Sequence, residues 1–432
     1  MPLLKKAAFY TLGCKTNQYD TQVMAEILRK NGYEIVPFSD KADVYIINTC
    51  TVTAMSDKKS RQMISRAHRN NPDALIVAAG CLSQRDPSET LMLEGVDIVA
   101  GTIGRANIHD IIRRAEKNKK ISAVSDIFSE NRFDEACAGV HEGRTRALIK
   151  IHEGCDYFCS YCIVPSVRGR SRSRPAESIL AEAREMASRG YREVVLTGIQ
   201  ISSWGHDLPE KPALAGLLER LCAVDGILRI RLGSVEYGTL TDDFIERASR
   251  LDKLCRHYHV PLQSGCDSVL HRMNRRYTAE EYAGRIAKLR SAIGDAAVTT
   301  DIVAGFPGET EEEFLATCRF VERMAFNRAH VFPYSRRKGT PAAEMPGQLP
   351  EKTKRERAGK LIEITKKIER AYLENLIGTV QEALVEESDG CCISGHTDRY
   401  ALVRAKGTAQ PNDLVNVRIK SADSEAAYGT IE

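Results

Sequence analysis

Three cysteines fall within eight residues, in the run Cys155-Asp156-Tyr157-Phe158-Cys159-Ser160-Tyr161-Cys162, giving a C-x3-C-x2-C cluster. Thiols at this density bind metal. A single tetrahedral zinc needs four ligands, and His152 is the nearby residue that could supply the fourth. Ferredoxin spacing would bring a fourth cysteine, and the run contains none. Three thiolates on a four-iron cluster leave one iron with a coordination vacancy, open to a small chelating molecule. The cluster is the preferred reading and zinc the alternative.

A second constellation is spread along the chain: Cys14 in Leu12-Gly13-Cys14-Lys15-Thr16-Asn17, Cys50 in Asn48-Thr49-Cys50, and Cys81 in Ala79-Gly80-Cys81. Each follows an apolar run that reads as a strand. The carboxyl ends of parallel strands share one edge of a sheet, so these three cysteines can converge on one cluster. Taken singly, each would be a small buried hydrophobe; three placed alike read as ligands. The other seven, Cys137, Cys222, Cys255, Cys266, Cys318, Cys391 and Cys392, show no comparable spacing and receive no role.

The elements that would position these residues alternate. Ala7–Leu12, Val44–Asn48, Leu75–Ala79 and Val96–Ala100 read as strands separated by helical patterns such as Gln22–Lys30 and Lys58–Arg69, which predicts a doubly wound parallel sheet over residues 1–121. Residues 122–144 read as a linker. Ala147–Ile151, Glu193–Thr197, Leu228–Leu232, His257–Leu262, Val298–Ala304 and Ala329–Pro333 then predict six βα units over 145–350, a partial (β/α)6 barrel with an open sheet as the alternative. A long amphipathic helix is expected over 351–377. Short alternating runs over 378–432 read as a small all-β barrel.

Composition narrows the class. The 432 residues are 43% hydrophobic and 28% charged, with thirteen cysteines and a net charge of +4. An odd cysteine count in a long chain argues against a disulfide scaffold. No apolar run approaches the ~18 residues of a membrane span. The first residues lack a secretory pattern, so a cytoplasmic location is expected.

The two cysteine trios, Tyr161 before the last cysteine of the compact one, and the terminal β domain together resemble the methylthiotransferase family of radical S-adenosylmethionine enzymes, over essentially the whole chain. Tyr10-Thr11-Leu12-Gly13-Cys14-Lys15-Thr16-Asn17-Gln18 and the stretch His259–Thr278 resemble the subfamily acting on N6-threonylcarbamoyladenosine of tRNA. Cys266 and Lys338 depart from its pattern, which has serine and proline there.

This resemblance implies two [4Fe-4S] clusters, held by Cys14, Cys50 and Cys81 and by Cys155, Cys159 and Cys162, with S-adenosyl-L-methionine on the open iron of the second. It implies replacement of the C2 hydrogen of the adenine next to the anticodon (adenosine 37) by a methylthio group. That carbon is unactivated, so a 5′-deoxyadenosyl radical would remove the hydrogen, fed by a low-potential donor of the flavodoxin or ferredoxin class. The N-terminal cluster would hold and deliver the sulfur, methylated by a second S-adenosyl-L-methionine. Tyr161, Gly198, Glu236, Gln263 and Gly305 are the expected cofactor contacts. The alternatives are an isopentenyladenosine substrate, a ribosomal-protein aspartate, and a non-catalytic iron–sulfur or zinc protein that binds RNA.

Binding tRNA requires positive surface. Residues 1–140 carry a net +2, residues 141–370 a net +7 and residues 371–432 a net −5. The terminal domain, which resembles the RNA-binding TRAM module, is therefore a poor electrostatic anchor by itself. Arg168, Arg170, Arg172 and Arg174 are the expected phosphate contacts, with Arg275-Arg276 and Arg336-Arg337-Lys338 behind them.

Overall fold

The computed structural model describes residues 4–117, 120–135 and 145–432. Cys137 lies outside them. The first domain is a six-stranded, all-parallel sheet of β1 (Lys5–Thr11), β2 (Tyr33–Val36), β3 (Val44–Thr49), β4 (Leu75–Gly80), β5 (Ile98–Ala100) and β6 (Ile121–Ala123), in the order β2-β1-β3-β4-β5-β6. The chain reverses its winding direction between β1 and β3, which opens a crevice at the strands' carboxyl ends. Strand β2 and strand β6 are too short to announce themselves by pattern. Ser122 and Ala123 pair with β5 and so belong to this sheet, not to the linker in which they were expected.

Helix α1 (Lys15–Lys30) begins seven residues earlier than its apolar pattern suggests. Its first turn is polar but buried, because Asn17 Nδ2 donates to the carbonyls of Leu12 (2.7 Å) and Thr49 (2.9 Å). Helix α2 (Ala54–Asn70) starts on a Thr53 side-chain cap, and α3 (Cys81–Arg85) starts directly off β4.

The second domain contains β7 (Arg146–Glu153), the short antiparallel β8 (Arg172–Ser173), β9 (Glu193–Gly198), β10 (Arg229–Leu232), β11 (His257–His259), β12 (Ala297–Ala304) and β13 (Arg328–Pro333). Single parallel bridges, Ile230 to Leu254 and Ser234 to His259, join the β10-β9-β7-β8 sheet to the β11-β12-β13 sheet. Six parallel strands thus form one arc, the expected partial barrel. The fourth, β11, is shorter than expected, since Pro261 has no amide hydrogen to donate to a ladder.

Alternation sorts the two faces of β7: Ala147, Ile149 and Ile151 enter the large core beneath the outer helices. Leu148 and Val195 face inward, where Tyr19 and Val23 of α1 pack on them. The N-terminal domain therefore leans into the arc. The helix Glu351–Glu374 packs on this core through Ala358 and Leu361.

The third domain is a closed barrel of β14 (Val380–Ser388), β15 (Cys392–Thr397), β16 (Leu402–Lys406), β17 (Leu414–Ala422) and β18 (Ala427–Ile431). It sits under the amino ends of the arc's strands. Arg231 donates to the carbonyls of Asp398 (2.9 Å) and Thr397 (3.0 Å), and Arg229 pairs with Glu382 at 2.6 Å. The Tyr400 ring stacks between His257 (4.9 Å) and His396 (4.7 Å). No helix among the described residues is long and apolar enough to cross a membrane.

Candidate active site

The N-terminal trio occupies the crevice at the winding reversal. Cys14 caps α1 after β1, Cys50 follows β3 and Cys81 opens α3 after β4, and these three strands are neighbours. Gly13 has φ +92°, and a Cβ there would stand 2.8 Å from the Cys50 sulfur, so the Cys14 turn closes only over a glycine. Cys14 is exposed, while Cys50 and Cys81 are buried. Burial pushes both buried thiols up, Cys81 to about 11 against the opposing pull of Arg168.

The compact trio sits on the loop leaving the carboxyl end of β7. At Gly154 (φ +75°) a side chain would meet the Arg170 carbonyl at 1.8 Å, and the Cys155 amide donates to the Gly169 carbonyl at 3.0 Å. The far side is clasped by residues 272–275: the Ser160 amide donates to the Met273 carbonyl (3.0 Å) and its hydroxyl to the Arg272 carbonyl (2.7 Å). Arg275 Nη1 lies 3.5 Å from Cys159 Sγ and 3.1 Å from a Glu236 oxygen. Burial pushes Cys155 up to about 11 and Cys162 up to about 12. Such thiols hold their protons at neutral pH, so a bound metal must displace them.

The donor sets can be tested for fit. Two thiolates ~2.3 Å from one tetrahedral zinc lie ~3.8 Å apart. Among the described residues, only Asp389, Cys391 and Cys392 bring their donor atoms within 4.8 Å of one another. Both trios are therefore wider than a single-ion site, as ligands of different irons in one cluster must be. His152 does not complete a zinc site with the compact trio. It is fully buried on β7, and desolvation drives its imidazole down to about 4. Both trios fit a cluster, with three thiols each.

The other expected contacts divide. Tyr161, Cys162, Gln263 (φ +68°) and Asp301 line a cavity of about 220 Å³. Glu236 reaches the compact trio through its ion pair with Arg275. Gly198 lies in close backbone contact with β7, where a Cβ would be 2.7 Å from the His152 carbonyl. At Gly305 a Cβ would meet the Lys354 side chain at 2.7 Å, so the missing side chain lets the long helix pack against this turn.

The arginine run is corrected. Arg168, Arg172 and Arg174 are buried, which removes them from contact with a phosphate in solvent. Arg174 pairs with Glu182, and Arg172 donates to the Arg168 and Glu130 carbonyls. Only Arg170 is exposed, beside Asp156 at 3.1 Å. Arg275 and Arg337 are buried too, leaving Arg276, Arg336 and Lys338 facing solvent.

Sequence reading missed a buried cluster of charges between the domains. Asp20 of α1 contacts Lys150 (2.7 Å), Arg105 (2.8 Å) and Arg168 (3.1 Å), and Glu153 contacts Lys150 (3.0 Å) and Arg168 (3.0 Å). Desolvation alone would raise both carboxyls. The surrounding cations outweigh it and hold both below their usual range. Lys150 in the centre of an apolar strand was the available signal.

The segment that follows Cys50 meets the last cysteine of the compact trio at one cavity. Val52 and Thr53, immediately after Cys50, line the 220 Å³ cavity together with Tyr161 and Cys162. This closure is fixed by the Ala54 amide, which donates to Ser335 Oγ at 3.1 Å, and by Arg337, which holds Asp57 at 2.6 Å and Thr51 at 3.0 Å.

A partial barrel with three cysteines on the loop after its first strand is the arrangement of a radical S-adenosylmethionine protein, and comparison with known proteins agrees. Residues 149–321 match the Radical SAM superfamily, and residues 6–101 match the family described as Uncharacterized protein family UPF0004. A Bacillus subtilis protein named threonylcarbamoyladenosine tRNA methylthiotransferase MtaB is 42% identical, covering 98% of this chain and 94% of its own length. A Carboxydothermus hydrogenoformans protein named tRNA-2-methylthio-N(6)-dimethylallyladenosine synthase is 38% identical, covering 98% and 97%. Among solved structures, the radical S-adenosylmethionine methyltransferase TsrM from Kitasatospora setae superposes with a TM-score of 0.57 at 15% identity, over 79% of this chain and 74% of that one, a likeness of fold. The chain belongs to the methylthiotransferase family of radical S-adenosylmethionine enzymes.

Proposed function

We propose that the protein converts N6-threonylcarbamoyladenosine at position 37 of tRNA to its 2-methylthio derivative, replacing C2–H by C2–S–CH3. The observation that carries this reading is the single cavity lined both by Cys162 and by the residues following Cys50. When bound, a [4Fe-4S] cluster at the compact trio would pass on the electron that cleaves one S-adenosyl-L-methionine, and a cluster at the N-terminal trio would hold the sulfur, whose methyl group would come from a second S-adenosyl-L-methionine.

The chain's own residues shape the reaction space. Cys155, Cys159 and Cys162 would hold one cluster and Cys14, Cys50 and Cys81 the other. Arg275 donates toward the Cys159 sulfur and is itself oriented by Glu236. Tyr161, set edge-on to Phe306 at 6.5 Å, forms an aromatic wall, and Gln263 and Asp301 bring polar groups to it. The segment 51–57, which runs from the loop after Cys50 into the first turn of α2 and is tied down by Arg337, narrows access from water.

Arg170, Arg276, Arg336 and Lys338 provide solvent-facing positive charge for the tRNA backbone. A flavodoxin- or ferredoxin-class donor would provide electrons, in the cytoplasm. The name and 42% identity of the Bacillus subtilis relative favour the threonylcarbamoyl substrate. The test is anaerobic incubation of the iron-loaded enzyme with tRNA carrying either threonylcarbamoyl- or isopentenyladenosine, followed by nucleoside mass analysis. A methylthio gain confined to isopentenyladenosine, or found only on protein, would reject it.

A further inference from the structure

The helix Val164–Arg168 starts two residues after Cys162 and ends against Cys81 of the other domain. Ile163 and Val167 pack on Cys81, and Arg168 Nε donates to its sulfur at 3.3 Å. Arg168 Nη2 donates to Asn17 Oδ1. Asn17 in turn ties the Leu12 and Thr49 carbonyls, which lie just ahead of Cys14 and Cys50. One guanidinium from the radical domain thus touches all three ligand-bearing segments of the N-terminal trio, one directly and two through a single amide.

Its charge is held in place. Nη1 lies 3.1 Å from Asp20 Oδ2 and 3.0 Å from Glu153 Oε2. Arg105, Lys150 and Arg168 set three cations against the two carboxylates, so the buried cluster carries a surplus positive charge beside the trio. Hydrogen bonds to cluster sulfurs and nearby net charge set the potential of an iron–sulfur site, and partners of its ligands fix their orientation.

We infer that Arg168 is a positioning residue for the N-terminal iron–sulfur site: it registers Cys14, Cys50 and Cys81 against the radical domain and raises that site's reduction potential. This rests on the two-cluster reading above. Lysine can keep the charge but cannot reach Cys81, Asn17 and both carboxylates together, because it lacks the planar fork.

The test uses the full chain with Cys155, Cys159 and Cys162 all replaced by alanine, so that iron is held only by the N-terminal trio. Iron and sulfide per chain and a spin-resonance redox titration are compared for Arg168, Arg168→Lys and Arg168→Gln. In Arg168→Gln the midpoint is expected to move to more negative potential, with retention of iron against a chelator weakened about tenfold or more. Arg168→Lys should fall between the two, and it carries the titration if Arg168→Gln does not fold. Unchanged midpoint and iron retention would overturn the inference. So would a lower melting temperature at unchanged midpoint, which would make Arg168 a domain staple only. If the chain with native Arg168 holds no iron, the two-cluster reading itself fails, and the inference with it.

Discussion

Arg337, on the rim of the partial barrel, holds Asp57 of the N-terminal domain at 2.6 Å, and both side chains are buried. Asp57 also receives Arg85 at 3.1 Å. Removing one of two cations leaves the carboxylate partnered, whereas removing the carboxylate takes the anion from buried Arg337, while Arg85 keeps Asp86 at 2.5 Å. Asp57→Asn should therefore cost about 3 kcal/mol or more, and Arg337→Met less. Denaturant unfolding of the two variants measures the order; equal losses would contradict it.

Division of labour between the trios separates two readouts. Cys159→Ala should abolish 5′-deoxyadenosine formation, while Cys50→Ala should retain part of it and yield no methylthiolated product. Chromatography of both products from one reaction decides. Equal loss of cofactor cleavage in the two variants would count against separate roles.

His152 predicts a pH dependence. Both ring nitrogens are buried without a hydrogen-bond partner among the described residues, and the folded imidazole sits at about 4 against about 6.5 unfolded. The unfolded chain then binds the extra proton, so stability is full above pH ~6.5 and declines toward pH 4, by about 3 kcal/mol in all. His152→Leu should flatten the melting temperature across that window. At neutral pH it should cost little, since no partner is stranded.

Burial also separates the arginines by assay. Substituting exposed Arg276 or Arg170 by alanine should lower the salt dependence of tRNA affinity by about one phosphate contact each, a slope change of ~0.7–0.9. Arg172→Ala should instead lower the melting temperature and leave the slope alone, because its guanidinium is spent on the Arg168 and Glu130 carbonyls. Salt titrations of binding distinguish the two classes.

The Tyr400 ring, between His257 and His396, predicts that Tyr400→Ala loosens the terminal barrel, at a cost of about 2–3 kcal/mol. Limited proteolysis between residues 374 and 380 should accelerate. Unaltered cleavage would mean that the polar contacts, those of Arg229, Arg231 and Arg146 with Glu386 among them, hold the domain without the ring.

The parallel strands and the placement of the cysteines at their carboxyl ends were legible because local pattern determines both: apolar runs of strand length, each followed by a cysteine. Strands such as β2 and Ile121–Ala123 were not, since a strand of three or four residues at a sheet's flank has too few positions to show a period. The arginines misled for a related reason. Arg168 and Arg174 look like a solvated basic run, and only the tertiary fold brings Asp20 and Glu182 to them from elsewhere. Gly305 was identified as special, and its φ of +74° agrees, but sequence could not say which neighbour required the missing side chain.

Strand β7 separates the terminal barrel from the reacting end by its full length of eight residues, about 26 Å. Tyr400 and two buried arginines tie that barrel to the amino end of the strand. If the tRNA touches both places it must itself span that length, and a short oligonucleotide carrying the right base would meet only one of them.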